Sequence, residues 1–407
     1  MRGVSPGLSV LLWCRVALAQ PAAPAQDKAD DHDADSVQEI APEDPAPEDP
    51  APKPEVPAPE VPAPSKPREQ VHTMDELAVP ATYLRFGINF FGDTSLTFTS
   101  PDRPHSAFAI GTLGLRMLGQ LSPSLDALAE LAFETTSQGP LADIEQVALR
   151  WRKGPGLLEV GRVHTNFGYW NTAYHHGLWL QTPIERPRAL RFEDEGGLLP
   201  VHWVGAHYTL VPGSGAFAVT LGIGNGRGDI VDDIRVSDDT NEAKATLVKV
   251  RYKTSTFEAG AGAIYDVIAP ANAMVRPALP GQRLHELIGN AYVALRTDGP
   301  ILIGEGYAFR HQTSNESWMT YAAYGLVGYA IAEGAVLYTA ADVVHGASDD
   351  PFFRPDTSTP GLDVLELLLG ARIDVSTWSA LKLELRFEHP EAGEDDYGGA
   401  LNWSFGL

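Results

Sequence analysis

The stretch GYWNTAYHHGLWLQTPIERPRALRFEDEGG, from Gly168 to Gly197, gathers several kinds of side chain that could do chemistry. It is aromatic at its start (Trp170, Tyr174, Trp179), basic in its middle (Arg186, Arg188, Arg191) and acidic at its end (Glu193, Asp194, Glu195). His175 and His176, with His164 and His202 on either side, are possible metal ligands. The guanidinium groups match phosphate oxygens through their planar fork. Phe167, Tyr169 and the other rings could stack on the faces of sugars. Carboxylates set opposite cations would make an electric field.

The spacings weigh on these options. No HxxxH pair and no acidic ligand at a fixed spacing accompanies the histidines. Neighbours on a strand also point to opposite faces. Hydrogen-bonded loop histidines are therefore expected, with no metal and no cofactor. The acids beside the arginines argue against simple anion selectivity, and packing against a wall accounts for the aromatics as well as sugar stacking does. Both selectivities stay open as alternatives. The one serine considered as a nucleophile, in GSG at 213–215, lacks the leading glycine of a nucleophile elbow. No enzyme is expected.

Pro183 and Pro187 exclude one continuous helix or strand here, so the stretch is a long loop. Long loops in ordered domains are uncommon and usually functional. The flanking sequence alternates with period two, the strand signature. Leu84, Phe86, Ile88 and Phe90 oppose Tyr83, Arg85, Gly87 and Asn89; Leu381, Leu383, Leu385 and Phe387 oppose Lys382, Glu384, Arg386 and Glu388. Short turns fall at 122–124, 153–156, 212–215, 254–256, 297–300, 332–334 and 376–378. Mostly longer polar connections lie between them, at 94–105, 137–141, 165–200, 225–241, 267–282, 312–315, 346–361 and 390–396. Seven turns and eight loops separate sixteen strands. Such alternation is that of an all-β, antiparallel transmembrane β-barrel whose apolar faces meet lipid. Trp151, Tyr208, Tyr252, Trp378, Trp403 and Phe405 stand near the short turns or the C-terminus, as an interfacial girdle would.

Residues 81–407 form this expected barrel. Residues 1–19 read as a signal peptide with Ala17-Leu18-Ala19 as its cleavage site, and the single cysteine, Cys14, falls inside it. Residues 20–80 read as a disordered, acidic, Pro/Glu-rich tail. APEDP repeats from Ala41 onward suit an extended polyproline spacer, which over Ala41 to Pro67 would span ~80 Å and could touch the cell wall. An even strand count puts both barrel termini, and so the tail, in the periplasm. A formal charge of −23 excludes non-specific nucleic-acid binding.

With this pattern in place, the sequence resembles the trimeric sixteen-stranded porins of Gram-negative outer membranes. YGGALNWSFGL resembles their closing strand, although Leu407 stands where an aromatic residue is usual. The resemblance implies a water-filled channel for small hydrophilic solutes or ions, contact with outer-membrane lipid, and a homotrimer. It also implies that the third long loop, here 165–200, folds inward and narrows the pore. Glu193, Asp194 and Glu195 would then face the lumenal cations Arg85, Arg116, Arg150, Arg372, Lys382 and Arg386. Strands from both ends of the chain meet on closure, so these six would share one part of the wall.

Overall fold

The computed structural model describes residues 85–98, 106–136, 139–175, 178–192, 196–213, 215–227, 243–268, 282–354, 362–391 and 393–407. The expected signal peptide, the tail, His176 and the triplet Glu193-Asp194-Glu195 lie outside the described residues.

Among the described residues the strands are β1 (Arg85–Phe98), β2 (Ser106–Ser122), β3 (Leu125–Thr136), β4 (Gly139–Lys153), β5 (Gly156–His164), β6 (His202–Leu210), β7 (Phe217–Gly224) and β8 (Ala245–Lys253). They continue with β9 (Phe257–Ile268), β10 (Leu284–Arg296), β11 (Pro300–Gln312), β12 (Ser317–Ala332), β13 (Ala335–His345), β14 (Val364–Ser376), β15 (Ser379–Pro390) and β16 (Asp396–Gly406). Each pairs antiparallel with its sequence neighbours, and β1 pairs with β16, so the sheet closes. The seam runs from Phe91↔Gly406 to Phe98↔Gly399, and the Phe90 and Leu407 backbones exchange two hydrogen bonds of 2.9 and 2.7 Å beyond it. The seven expected short turns each join two strands. At two of them Gly154 and Gly334 take φ of 56° and 70°, a left-handed conformation that a Cβ would strain. Two expected loops are shorter than read, and the one at 94–105 begins only after Phe98, where β1 ends. The connection at 137–141 shrinks to two residues between Thr136 and Gly139, because the β3–β4 ladder continues past Glu134↔Leu141 to Thr136↔Gly139.

Burial is inverted relative to a protein folded in water. On β14, Leu365, Leu367 and Leu369 are exposed while Glu366 is buried; on β15, Leu381, Leu383 and Leu385 are exposed while Lys382 and Glu384 are buried. An exterior of this kind suits an apolar solvent. Moving a lysine or arginine to such a lipid-facing midplane position costs about 2–4 kcal/mol. The buried apolar cluster lies inside the barrel. Phe167, Trp170, Leu190 and Leu199, from the segment between β5 and β6, pack there with Ile264, Ile288 and Phe309 of β9, β10 and β11.

Candidate functional site

A loop held inside a barrel must find partners for its backbone N–H and C=O groups away from bulk water. Among its described residues, the segment between β5 and β6 has one helical turn (Trp170–Ala173) and one 3-10 turn (Arg188–Leu190). The inner wall supplies the partners. Carboxylates take its amides: Glu305 on β11 accepts the Tyr169 and Trp170 N–H groups at 2.7 and 3.0 Å. Glu384 on β15 accepts that of Ile184 at 2.8 Å, and Asp342 on β13 accepts that of Arg188. Cations take its carbonyls: Lys249 on β8 donates to Gly168 at 2.7 Å and Arg372 on β14 to Gln181 at 2.6 Å. Lys382 on β15 donates to Pro183 at 2.9 Å and also to Leu178.

The aromatic start of the loop packs against the same wall. Trp170 is fully buried, with its ring 5.1 Å from that of Tyr324 on β12, and Tyr174 is buried beside it. Burial pushes the Tyr169 hydroxyl well above its ordinary pKa, so it stays neutral. Trp179 is partly buried, and its indole lies over the backbone at Gly406 near the end of β16.

The basic middle of the loop meets an acidic row. Cross-strand register places Glu305, Tyr324, Asp342, Glu366 and Glu388 side by side across β11 to β15. Like charges on directly opposed positions destabilise a sheet, and arginines offset them here. Arg188 reaches Glu388 at 2.5 Å and Glu366 at 4.0 Å. Arg191 lies 2.9 Å from Glu185 and 3.5 Å from Glu366. Arg386 of β15 pairs with Glu185 and stands 4.0 Å from Glu366. Arg186 instead donates to the His175 carbonyl at 2.9 Å and to Asn171 Oδ1 at 3.3 Å, with its guanidinium 4.2 Å from the Phe192 ring centre.

The six expected wall cations lie on β14, β15, β1, β2 and β4, which belong to one continuous arc of the barrel. Arg116 is 3.8 Å from Glu130 and Arg150 is 3.0 Å from Glu159, so both have partners on adjacent strands. Arg85 begins β1, opposite Gln120. The wall groups that hold the loop, Lys249, Glu305, Asp342, Glu366 and Glu384, were not singled out from the sequence. Alternation put Glu384 on the lumenal face, but Glu305 and Asp342 fall in segments where the alternation is noisier, and only register brings these groups to the loop.

His175 and His202 are hydrogen-bonded, as expected of the histidines, but they also cluster with His164, which the spacing did not suggest. His175 follows the helical turn and is not on a strand, so the alternation rule does not separate it from its neighbours. Its ring stacks on that of His164 at 3.4 Å, and His202 lies 5.1 Å away edge-on. The acidic partner comes from another strand: Glu145 Oε2 is 2.6 Å from His202 Nε2.

No family model matches the chain, and no curated protein matches it by sequence. Solved structures do match. The anion-selective porin from Comamonas acidovorans is 14% identical, with 80% of this chain and 100% of that chain covered at a TM-score of 0.58. The outer membrane channel DcaP of Acinetobacter baumannii is 12% identical, with 80% and 97% covered at 0.58. OmpT, an outer membrane protein of Vibrio cholerae, is 11% identical, with 81% and 99% covered at 0.58. The chain has the fold of a Gram-negative outer-membrane porin. At these identities the likeness is one of backbone architecture, and it embraces nearly the whole length of each porin-like neighbour.

Proposed function

We propose that this chain is an outer-membrane porin: a water-filled channel for passive diffusion of small hydrophilic solutes and ions, narrowed by residues 165–200. The observation that carries the reading is the pairing of a closed barrel, apolar outside and polar inside, with a loop held across its inner wall by side chains of β8, β11, β13, β14 and β15. The reading is of a channel and not an enzyme, in the outer membrane of a Gram-negative bacterium, with the tail at 20–80 on the periplasmic side and able to meet the cell wall. The protein works as a homotrimer. One OmpT structure is described as a trimer form, and small residues such as Ala259, Ala261 and Ala263 on the outer face of β9 permit close barrel contacts.

General diffusion is favoured over a phosphate or sugar site. Arg186, Arg188 and Arg191 are bonded to protein oxygens, and Trp170 and Tyr174 are buried. Conductance in a planar bilayer tests the reading. The wild-type channel opens stepwise and ohmically. Deleting Asn171 to Arg188 raises conductance and the solute size limit, and neutralising Glu193, Asp194 and Glu195 shifts selectivity toward anions. Unchanged conductance and size limit after the deletion would place the loop outside the conducting path.

A further inference from the structure

We infer that Glu145, His164, His175 and His202 form a binding site for one divalent transition-metal ion of the zinc type, which fastens the long loop to the wall. One ligand atom from each residue lies within 4.8 Å of the other three. Zinc holds nitrogen and oxygen ligands at about 2.0–2.2 Å, which needs donors roughly 3.4 Å apart in a tetrahedron. Small rotations close that gap, and in doing so they open the stacked pair His164–His175. Three imidazoles and one carboxylate are a borderline-soft set that suits zinc rather than calcium or magnesium. Four protein ligands leave no open position, the mark of a structural site and not a catalytic one.

Two features of the surroundings point to ligation independently of the distances. The first is a β-bulge. In the β3–β4 ladder Glu130 pairs with Gln146 and Leu131 with Ile144, so Glu145 is the extra residue. Bulges re-aim side chains. Here Glu145 and its neighbour Gln146 are both buried, where regular alternation would have sent one of them outward. The bulge turns Glu145 toward His202.

The second is the group behind His175. Asn171 Nδ2 donates to the carbonyls of Thr165 and Val201 at 2.7 and 3.4 Å, which fixes the amide so that Oδ1 is the acceptor. Oδ1 lies 2.6 Å from His175 Nδ1. That nitrogen must therefore carry the proton, and the ring lone pair is on Nε2. Metal-bound histidines characteristically donate their other N–H to such an oxygen.

The position gives the ion a role. His164 ends β5, His202 begins β6, and the two are cross-strand neighbours. His175 lies within the loop that they bound. An ion held by all three, and by β4 through Glu145, ties both roots of the loop to its interior.

The test uses the full mature chain in detergent, stripped by a chelator and titrated with Zn2+. The expected result is one tightly bound ion per chain. Co2+ in its place should show the visible absorption of a four-coordinate nitrogen and oxygen site. His202→Ala and Glu145→Gln should abolish stoichiometric uptake, and Asn171→Ala should weaken it about 10–100-fold. His389→Ala, at an exposed pair with Asp395, should leave it unchanged. Each variant is checked for its folded band on an unheated gel, so that lost binding is not misfolding. Zn2+ should also slow hydrogen exchange in residues 165–175 of the wild type. Uptake of no ion by the wild type, or equal uptake by folded His202→Ala, Glu145→Gln and wild type, would overturn the site and leave a self-contained histidine–carboxylate network.

Discussion

Gly168 shows how closely the loop and the wall approach. Its φ is +75°, and a Cβ there would run into the Tyr307 hydroxyl and the Glu305 carboxylate. Only glycine meets both demands. The carboxylate at stake accepts two amides of the loop together with the Tyr307 hydroxyl at 2.6 Å and the Asn290 amide at 3.2 Å. Glu305→Ala strands two buried N–H groups, each worth about 1–3 kcal/mol. Exchange of the Tyr169 and Trp170 amides should then accelerate about tenfold or more, on the rule that 1.4 kcal/mol is a factor of ten. Glu305→Gln keeps an oxygen in place and should produce a smaller change. Equal protection in Glu305→Ala and wild type would mean that the loop start is held by its aromatic packing alone.

At the scale of elements, strands and turns were legible and the site was only partly so. In LKLELRFE, alternation assigns Lys382, Glu384, Arg386 and Glu388 to one face with no further information. It does not say how high each residue sits against its neighbours. That height comes from pairing, such as Glu366↔Glu388 and Arg372↔Lys382, and is a property of two strands at once. For this reason the acidic row was invisible, and so was Glu145, which a bulge redirects against its own alternation. The loop itself was found by length and prolines, but many of its wall partners lie 100 residues and more away, as with Arg188 and Asp342. The row has a measurable consequence. Arg188→Ala removes the cation nearest Glu388 and leaves the acidic face less compensated. Reversal potentials in a salt gradient should move toward cation preference, most clearly at low ionic strength, where screening is weak. An unchanged reversal potential would show that this face is remote from the ion path.

For the whole molecule the outward surface matters most. Across β10, β11 and β12 the register aligns Ala291, Gly306 and Ala323, and Val343 on β13 extends the row. These residues, with Gly289 and Ala308, line an apolar depression of about 470 Å³ on the barrel exterior. Small residues let neighbouring backbones approach in lipid. If the homotrimer joins here, Ala291→Phe should yield monomers on cross-linking in detergent. The barrel should keep its folded band, since phenylalanine is at home in lipid. A trimer unaffected by this change would place the subunit contact on another part of the wall.

The loop's bonds also impose an order of events. Ile184 and Glu384 are 200 positions apart in the chain, and Leu178 and Lys382 are 204 apart. Residues 165–200 leave the ribosome long before β14 and β15, which satisfy much of their backbone. Contacts of such long range form late and slowly. Until the last strands arrive, the Ile184 amide and the Leu178, Gln181 and Pro183 carbonyls lack their wall partners. If the loop narrows the channel as proposed above, a barrel caught between closure of its seam and docking of the loop would be a wider hole than the finished one. The cell that assembles it would then meet a brief leak, and the speed of loop docking would set how long that leak lasts.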